Sequence, residues 1–243
     1  MRRLIGLLTL ISLFSSISLM AQRPTRLITG GIQFRPMLPV GFFNGAEQSS
    51  LVNDTTFTIN QNFGYSAGGV IRFGFNDRFA LETGISFVQR NFTLSAEEQS
   101  GGFNQELSYR IIGYELPIRG LVYVQLDRQW FMTATFGPVL DFFPSDVATA
   151  NDYIQHETIR NSWIAVGLDA NIGFEYRTKE NGIFYLGGSF HRPFSNIYLS
   201  KIGAYQAQIP ETTIELFGDY LTVDLRYFFH ADPEPKKRKK KKD

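Results

Sequence analysis

The chain has 243 residues, 43% hydrophobic and 15% aromatic, with 24 basic and 23 acidic side chains and a formal net charge of +1. It has no cysteine, which excludes disulfide staples and lipoprotein anchoring, and its mean hydropathy of −0.13 excludes a helical membrane bundle but not a barrel, whose polar interior dilutes the signal. The near-neutral total hides an asymmetry: residues 22–235 hold 15 bases and 22 acids, a balance of −7, whereas residues 236–243 hold seven bases and one acid.

The N-terminus reads Met1-Arg2-Arg3, an uncharged apolar run over residues 4–19, then Met20-Ala21-Gln22. Those are the charged, greasy and small-residue parts of a secretory signal peptide, with cleavage expected after Ala21. The run is shorter than the ~20 apolar residues that span a bilayer as a helix. Residues 1–21 are therefore read as the signal, residues 22–230 as one all-β domain, and residues 231–243 as a Pro/Lys-rich tail.

Eight segments then alternate with period two, which sends successive side chains to opposite faces of a strand. Residues 27–36 put Ile28, Ile32 and Phe34 outward and Thr29, Gln33 and Arg35 inward. Residues 63–75 and 79–89 flank the turn Asn76-Asp77, with Arg72, Glu82 and, just beyond, Arg90 inward. Residues 110–126 send Ile112, Tyr114, Leu116, Ile118, Val122 and Val124 outward against Glu115, Arg119, Tyr123 and Gln125. Residues 130–142 set Trp130, Met132, Ala134, Phe136 and Leu140 against Thr133, Thr135 and Asp141. Residues 162–177 give seven consecutive matches, with Asp169, Glu175 and Arg177 on the polar face. Residues 183–191 follow the hairpin signal Asn181-Gly182. Residues 220–229 close the series, with Leu221, Val223, Leu225, Tyr227 and Phe229 outward and Asp224 and Arg226 inward.

The outward row is mainly greasy and the polar row carries the charge, so the arrangement expected is an eight-stranded antiparallel up-and-down transmembrane β-barrel in the outer membrane. Connections alternate strictly. Those after the second, fourth and sixth strands are a few residues long, whereas residues 37–62, 90–109, 143–161 and 192–214 are long and polar. That rhythm predicts short periplasmic turns, long extracellular loops and both chain ends in the periplasm. Aromatics fall into two levels, with Phe75, Phe79, Trp130, Tyr176, Tyr227 and Phe229 at one and Phe34, Tyr65, Phe87, Phe142 and Phe190 at the other. A soluble lipocalin-like barrel would need the faces reversed. Here Arg72, Glu82, Glu115, Arg119, Asp169, Glu175, Arg177, Asp224 and Arg226 point inward as a paired charge network. Glu115 is expected to pair with Arg119, Glu175 with Arg177, and Asp224 with Arg226. Eight strands enclose only enough room for side chains, so a plugged lumen is expected.

The chain resembles the PorT-like outer-membrane β-barrel proteins of Gram-negative bacteria. The likeness rests on the signal segment, on Tyr114-Glu115-Leu116-Pro117-Ile118, similar to that family's Tyr-x-Glu-x-Pro strand motif, and on the closing strand over residues 220–229. It implies an integral outer-membrane barrel, with some members implicated in protein secretion. The terminal aromatic strand resembles the signal read by the barrel-assembly machinery, although here Phe229 is followed by a tail.

No catalytic constellation emerges. His191, with Ser189 and Ser195 nearby, invites comparison with lipid A-modifying barrels, but Arg192-Pro193 occupies the place where the deacylase His-x-Ser order would put its serine. His156, in a polar loop, and His230, past the last strand, have no clustered partners, so neither a metal nor a cofactor is expected. The tail Lys236, Lys237, Arg238, Lys239, Lys240, Lys241 and Lys242 suggests an electrostatic contact to lipid head groups or to an anionic periplasmic or cell-wall partner. Behind a secretory signal it does not suggest nucleic acid. Phe42, Phe43, Phe57, Phe103, Ile197 and Tyr198 read as exposed apolar residues of the long loops, where binding is commonly carried. The function expected is therefore structural or interaction-based (anchoring, adhesion or a secretion complex), with lipid A chemistry or a lipocalin-like carrier as alternatives.

Overall fold

A computed structural model describes residues 28–39, 46–99, 101–102, 104–204 and 209–229. The signal segment, the tail with its Lys and Arg residues, Phe42, Phe43, Phe103 and His230 lie outside the described residues. The described residues form thirteen strands: β1 (Ile28–Pro39), β2 (Glu47–Val52), β3 (Thr55–Gly74), β4 (Phe79–Glu98), β5 (Asn104–Gln125), β6 (Trp130–Phe142), β7 (Val147–Ala150), β8 (Ile154–Arg160), β9 (Ile164–Arg177), β10 (Ile183–Pro193), β11 (Tyr198–Ala204), β12 (Ile209–Leu216) and β13 (Tyr220–Phe228). Eight of them form an antiparallel ring in the order β1, β13, β10, β9, β6, β5, β4, β3, closed where β3 pairs with β1 from Ile28↔Phe73 to Met37↔Gly64. Closure satisfies every edge, which hydrocarbon demands because it offers backbone groups no other partner.

The turns at the end where β1 begins and β13 stops are short. Asn76 Oδ1 accepts from the backbone N–H groups of Arg78 and Phe79, both at 2.8 Å. Gly182 sits at φ +81°, the left-handed conformation that the Asn-Gly hairpin needs. Outward residues of this terminal half are apolar and exposed, among them Ile32, Ile85, Phe136, Ile172 and Leu186. Aromatic rings meet across strands at both levels: Trp130 and Tyr176 have centroids 5.0 Å apart, and Phe34, Tyr65, Phe87 and Tyr114 form a chain at 5.9–6.1 Å.

The four connections at the distal end depart from the expectation of polar loops. β3, β4 and β5 continue beyond the ring as strands of 20, 20 and 22 residues, joined by β2. Across from them lies a separate four-stranded sheet in the order β12, β11, β8, β7. The two sheets enclose an apolar core of Phe57, Ile59, Phe92, Leu94, Ile111, Phe143, Ile154, Ile197, Tyr198 and neighbours. Phe57, Ile197 and Tyr198, read from sequence as exposed, are thus buried. Phe57 and Ile59 alternate with Thr and Asn as in ordinary half-buried strands in water.

Side-chain polarity therefore inverts along single strands. On β4 the outward row runs Leu81, Ile85, Phe87 and then Asn91, Thr93, Ser95, Glu97, while the inward row runs Glu82, Ser86, Arg90 and then Phe92, Leu94, Ala96. On β5 the outward row passes from Val122, Ile118 and Tyr114 to Arg110, Ser108 and Glu106. On β3 the change coincides with a bulge, where Phe63 and Gly64 together face the gap between Gln89 and Asn91 and reset which residues point in. One phase of the strand is greasy-out and the other greasy-in, and the switch falls at the same level on all three strands.

Candidate functional site

The inward side chains of the ring form one connected ionic network. Glu82 is its hub: Arg72 Nε donates to Oε2 at 2.7 Å, and Arg119 Nη2 and Arg226 Nη1 each lie 2.8 Å from Oε1. Arg72 also reaches Glu175, which Arg177 meets at 3.1 Å. Arg226 pairs with Asp224, which further accepts from Ser189 at 2.6 Å and Asn171 at 2.9 Å. Arg119 Nη1 donates to Asp169 Oδ1 at 2.6 Å. Arg35 links upward, to Asp169 at 3.8 Å and to Glu115 at 2.8 Å. Arg90 meets Glu115 at 3.3 Å and Asp141 at 4.0 Å, and Tyr220 donates to Glu115.

All nine charged residues read from sequence as the lumen network lie in it. The pairing differs in one case: Glu175 with Arg177 and Asp224 with Arg226 form within their strands, but Glu115 and Arg119 do not pair. Four residues along a strand span about 13 Å, whereas Arg119 stands directly opposite Glu82 on β4. Cross-strand neighbours therefore win. Four further members, Arg35, Arg90, Asp141 and His191, read as inward but outside the network, join it through contacts between strands. The network then holds six arginines, of which Arg177 is one-third exposed, and six carboxylates, so its formal charge is balanced, as unpaired ions in such an interior would be prohibitive.

Glycine supplies space within this interior. Gly173 and Gly187 pair across β9 and β10, and a Cβ on either would come within 2.4 and 2.2 Å of Tyr185 Oη. The Tyr185 hydroxyl can thereby lie over them and donate to Asn171 at 2.5 Å.

His191 is fully buried on β10, its ring stacked on Tyr220 at 4.6 Å and its Nε2 3.1 Å from Asp141 Oδ2. Ser189, its nearest inward serine, donates to Asp224 instead, so no serine and base are coupled there for the lipid A chemistry weighed from sequence. His156, expected in a polar loop, sits on β8 inside the distal core, with Nε2 2.6 Å from Ser200 Oγ and its ring 4.2 Å from that of Tyr109. Burial pushes the His156 imidazole down to about 4 and the Tyr109 phenol up. Outside that core the distal segments 46–63, 91–110, 143–161 and 194–219 carry eleven acids against three bases. The acidity of the chain body is thus concentrated in the distal sandwich.

A closed antiparallel cylinder with apolar residues outside and a neutralised ionic interior is an integral β-barrel of a lipid bilayer. A family model described as outer membrane protein beta-barrel domain matches residues 21–199, and the chain belongs to that family. Among solved structures it is similar to the outer membrane protein OprG from Pseudomonas aeruginosa, at 15% identity and a TM-score of 0.58, covering 86% of this chain and 98% of that one. The beta domain of the Bordetella autotransporter BrkA is matched at 11% identity and a TM-score of 0.23, covering 82% of this chain and 99% of that one. The transport unit of the Escherichia coli autotransporter AIDA-I is matched at 11% and 0.24, covering 93% and 97%. No curated protein matches by sequence. The OprG likeness supports the fold, the family model supports an outer-membrane location, and the two autotransporter scores are too low to carry an argument.

Proposed function

We propose that this protein is a non-enzymatic, ionically plugged outer-membrane barrel whose work is done by the distal sandwich as a surface-binding or assembly module, with the chain termini in the periplasm. The observation that carries the reading is the polarity inversion on β3, β4 and β5. A rigid, apolar-cored and acidic-shelled body is built on strands that also line the bilayer anchor, so it is held at a fixed height above the lipid. Loops and sheets presented on a rigid scaffold are where binding concentrates. The PorT-like resemblance of residues 114–118 and 220–229 favours a role in an envelope or secretion complex. Biogenesis would use the barrel-assembly machinery, and the Lys236 to Lys242 tail would meet anionic head groups or an acidic periplasmic partner. A lipocalin-like carrier is disfavoured because Glu82, Arg119 and Arg226 occupy the space that an apolar ligand would need.

The test is labelling of intact cells with a membrane-impermeant maleimide, using the cysteine-free background. Ser95→Cys reacts in intact cells and Lys179→Cys only after permeabilisation; the opposite result removes the orientation. In planar bilayers the purified barrel gives no steady conductance, and a stable large current overturns the plug. Co-purification in mild detergent, with and without residues 236–243, identifies the partner.

A further inference from the structure

Of the six carboxylates in the network, Asp141 alone has no hydrogen bond to either oxygen. It is 1% exposed, and its nearest guanidinium, that of Arg90, stands 4.0 Å away. His191, 0% exposed, has no hydrogen-bond partner at Nδ1 or Nε2, although Nε2 is 3.1 Å from Asp141 Oδ2. Buried polar groups without partners are uncommon, and each calls for a cause, an ion among them. Two ligands bound tetrahedrally at about 2.0–2.2 Å to one ion lie about 3.4 Å apart, a few tenths of an ångström more than the separation here. Glu115 completes the set, with ligand atoms of all three residues within 4.8 Å of one another.

We propose that Glu115, Asp141 and His191 form a divalent metal site inside the barrel, directly beneath the distal sandwich. One imidazole nitrogen and two carboxylates suit a borderline ion of the zinc class better than calcium or magnesium, which favour oxygen alone. Charge favours occupation. Arg177 is one-third exposed at the terminal mouth, and Asp141 is the carboxylate whose nearest guanidinium is farthest away, at 4.0 Å. The three ligands come from β5, β6 and β10, so an ion there would tie the closing half of the ring to the half that rises into the sandwich. Because the site is sealed, loading occurs during folding.

The experiment uses untagged full-length mature chain refolded into detergent with Co²⁺ as the probe for Zn²⁺. Expected is one equivalent of Co²⁺ with d–d absorption, lost in both Asp141→Asn and His191→Gln, each first checked for folded mobility on unheated gels. Refolding in Zn²⁺ at 100 times its Kd lowers the unfolding constant of the wild type about 100-fold, and EDTA present during refolding abolishes this. The proposal is overturned if the wild type shows neither absorption nor stabilisation. It is equally overturned if the absorption persists in both variants, which would place the ion at another histidine. The wild-type measurements decide the matter even if a variant fails to fold.

Discussion

Replacing Glu82 with Gln removes the charge on which three guanidinium groups converge while nearly keeping the side chain's shape. Oε1 lies 2.8 Å from both Arg119 Nη2 and Arg226 Nη1, and Oε2 accepts from Arg72 Nε at 2.7 Å. The amide has one oxygen to offer and turns an NH₂ group toward a cation, so at least one contact becomes repulsive and the lumen gains a net positive charge. Removing one partner of a buried ion pair costs about 3–5 kcal/mol, which is roughly two to three and a half decades in the unfolding constant. With a urea slope of about 2 kcal/mol/M the midpoint falls by roughly 1.5–2.5 M. Trp130 in the ring and Trp163 at its distal border are the chain's two tryptophans and report the transition by fluorescence in detergent. The double variant Glu82→Met with Arg226→Met removes one charge of each sign and should lose clearly less than the two single changes added together. A Glu82→Gln midpoint within about 0.3 M of wild type, or an additive double variant, would mean that the lumen is hydrated, and the buried-network reasoning would fail.

Three further outcomes follow from the geometry. His156 is held neutral, its pKa pushed down to about 4 from 6.5 by burial, so between those values the unfolded chain binds the extra proton and stability falls as pH falls. His156→Asn should remove about 2–3 kcal/mol of the stability difference between pH 7.5 and pH 4.5, and an unchanged difference would refute the buried neutral imidazole. Ile85→Arg and Ser95→Arg place the same charge on the outward row of β4. The first should cost about 2–4 kcal/mol in lipid and the second within about 0.5, with equal costs in urea titrations contradicting the inversion. Gly187→Ala sets a Cβ 2.2 Å from Tyr185 Oη and 2.6 Å from the Ile172 carbonyl. A loss of about 1–3 kcal/mol is expected by calorimetry, and a neutral result would mean that Tyr185 does not lie over the two glycines.

The ring was legible because period-two alternation survives in every one of its strands and because Asn181-Gly182 and Asn76-Asp77 mark tight turns at their ends. The nine lumen charges were legible for the same reason, since parity alone sends them inward. Three things could not be read. Pairing partners such as Arg35 with Glu115 depend on which strands become neighbours across the cylinder, a property of closure that no local window contains. His191 and Asp141 meet only because β6 and β10 both flank β9. The distal sandwich was missed because Thr, Asn and Ser interleaved with Phe57, Ile59, Phe92 and Leu94 resemble a loop when the greasy face is sought on the outside. The signal was present: after the phase slip at Phe87-Val88 and Gln89-Arg90-Asn91 the alternation resumes through residue 96 on β4, and only which face is greasy reverses.

The most direct test of that reversal is site-directed spin labelling of β4 in liposomes, comparing collision with oxygen, which concentrates in lipid, and with a water-soluble nickel chelate. Labels at Leu81, Ile85 and Phe87 should report lipid, and labels at Thr93 and Ser95 on the same face should report water, with the change falling between Phe87 and Asn91. A uniform environment along the row, wet or greasy throughout, would contradict the account.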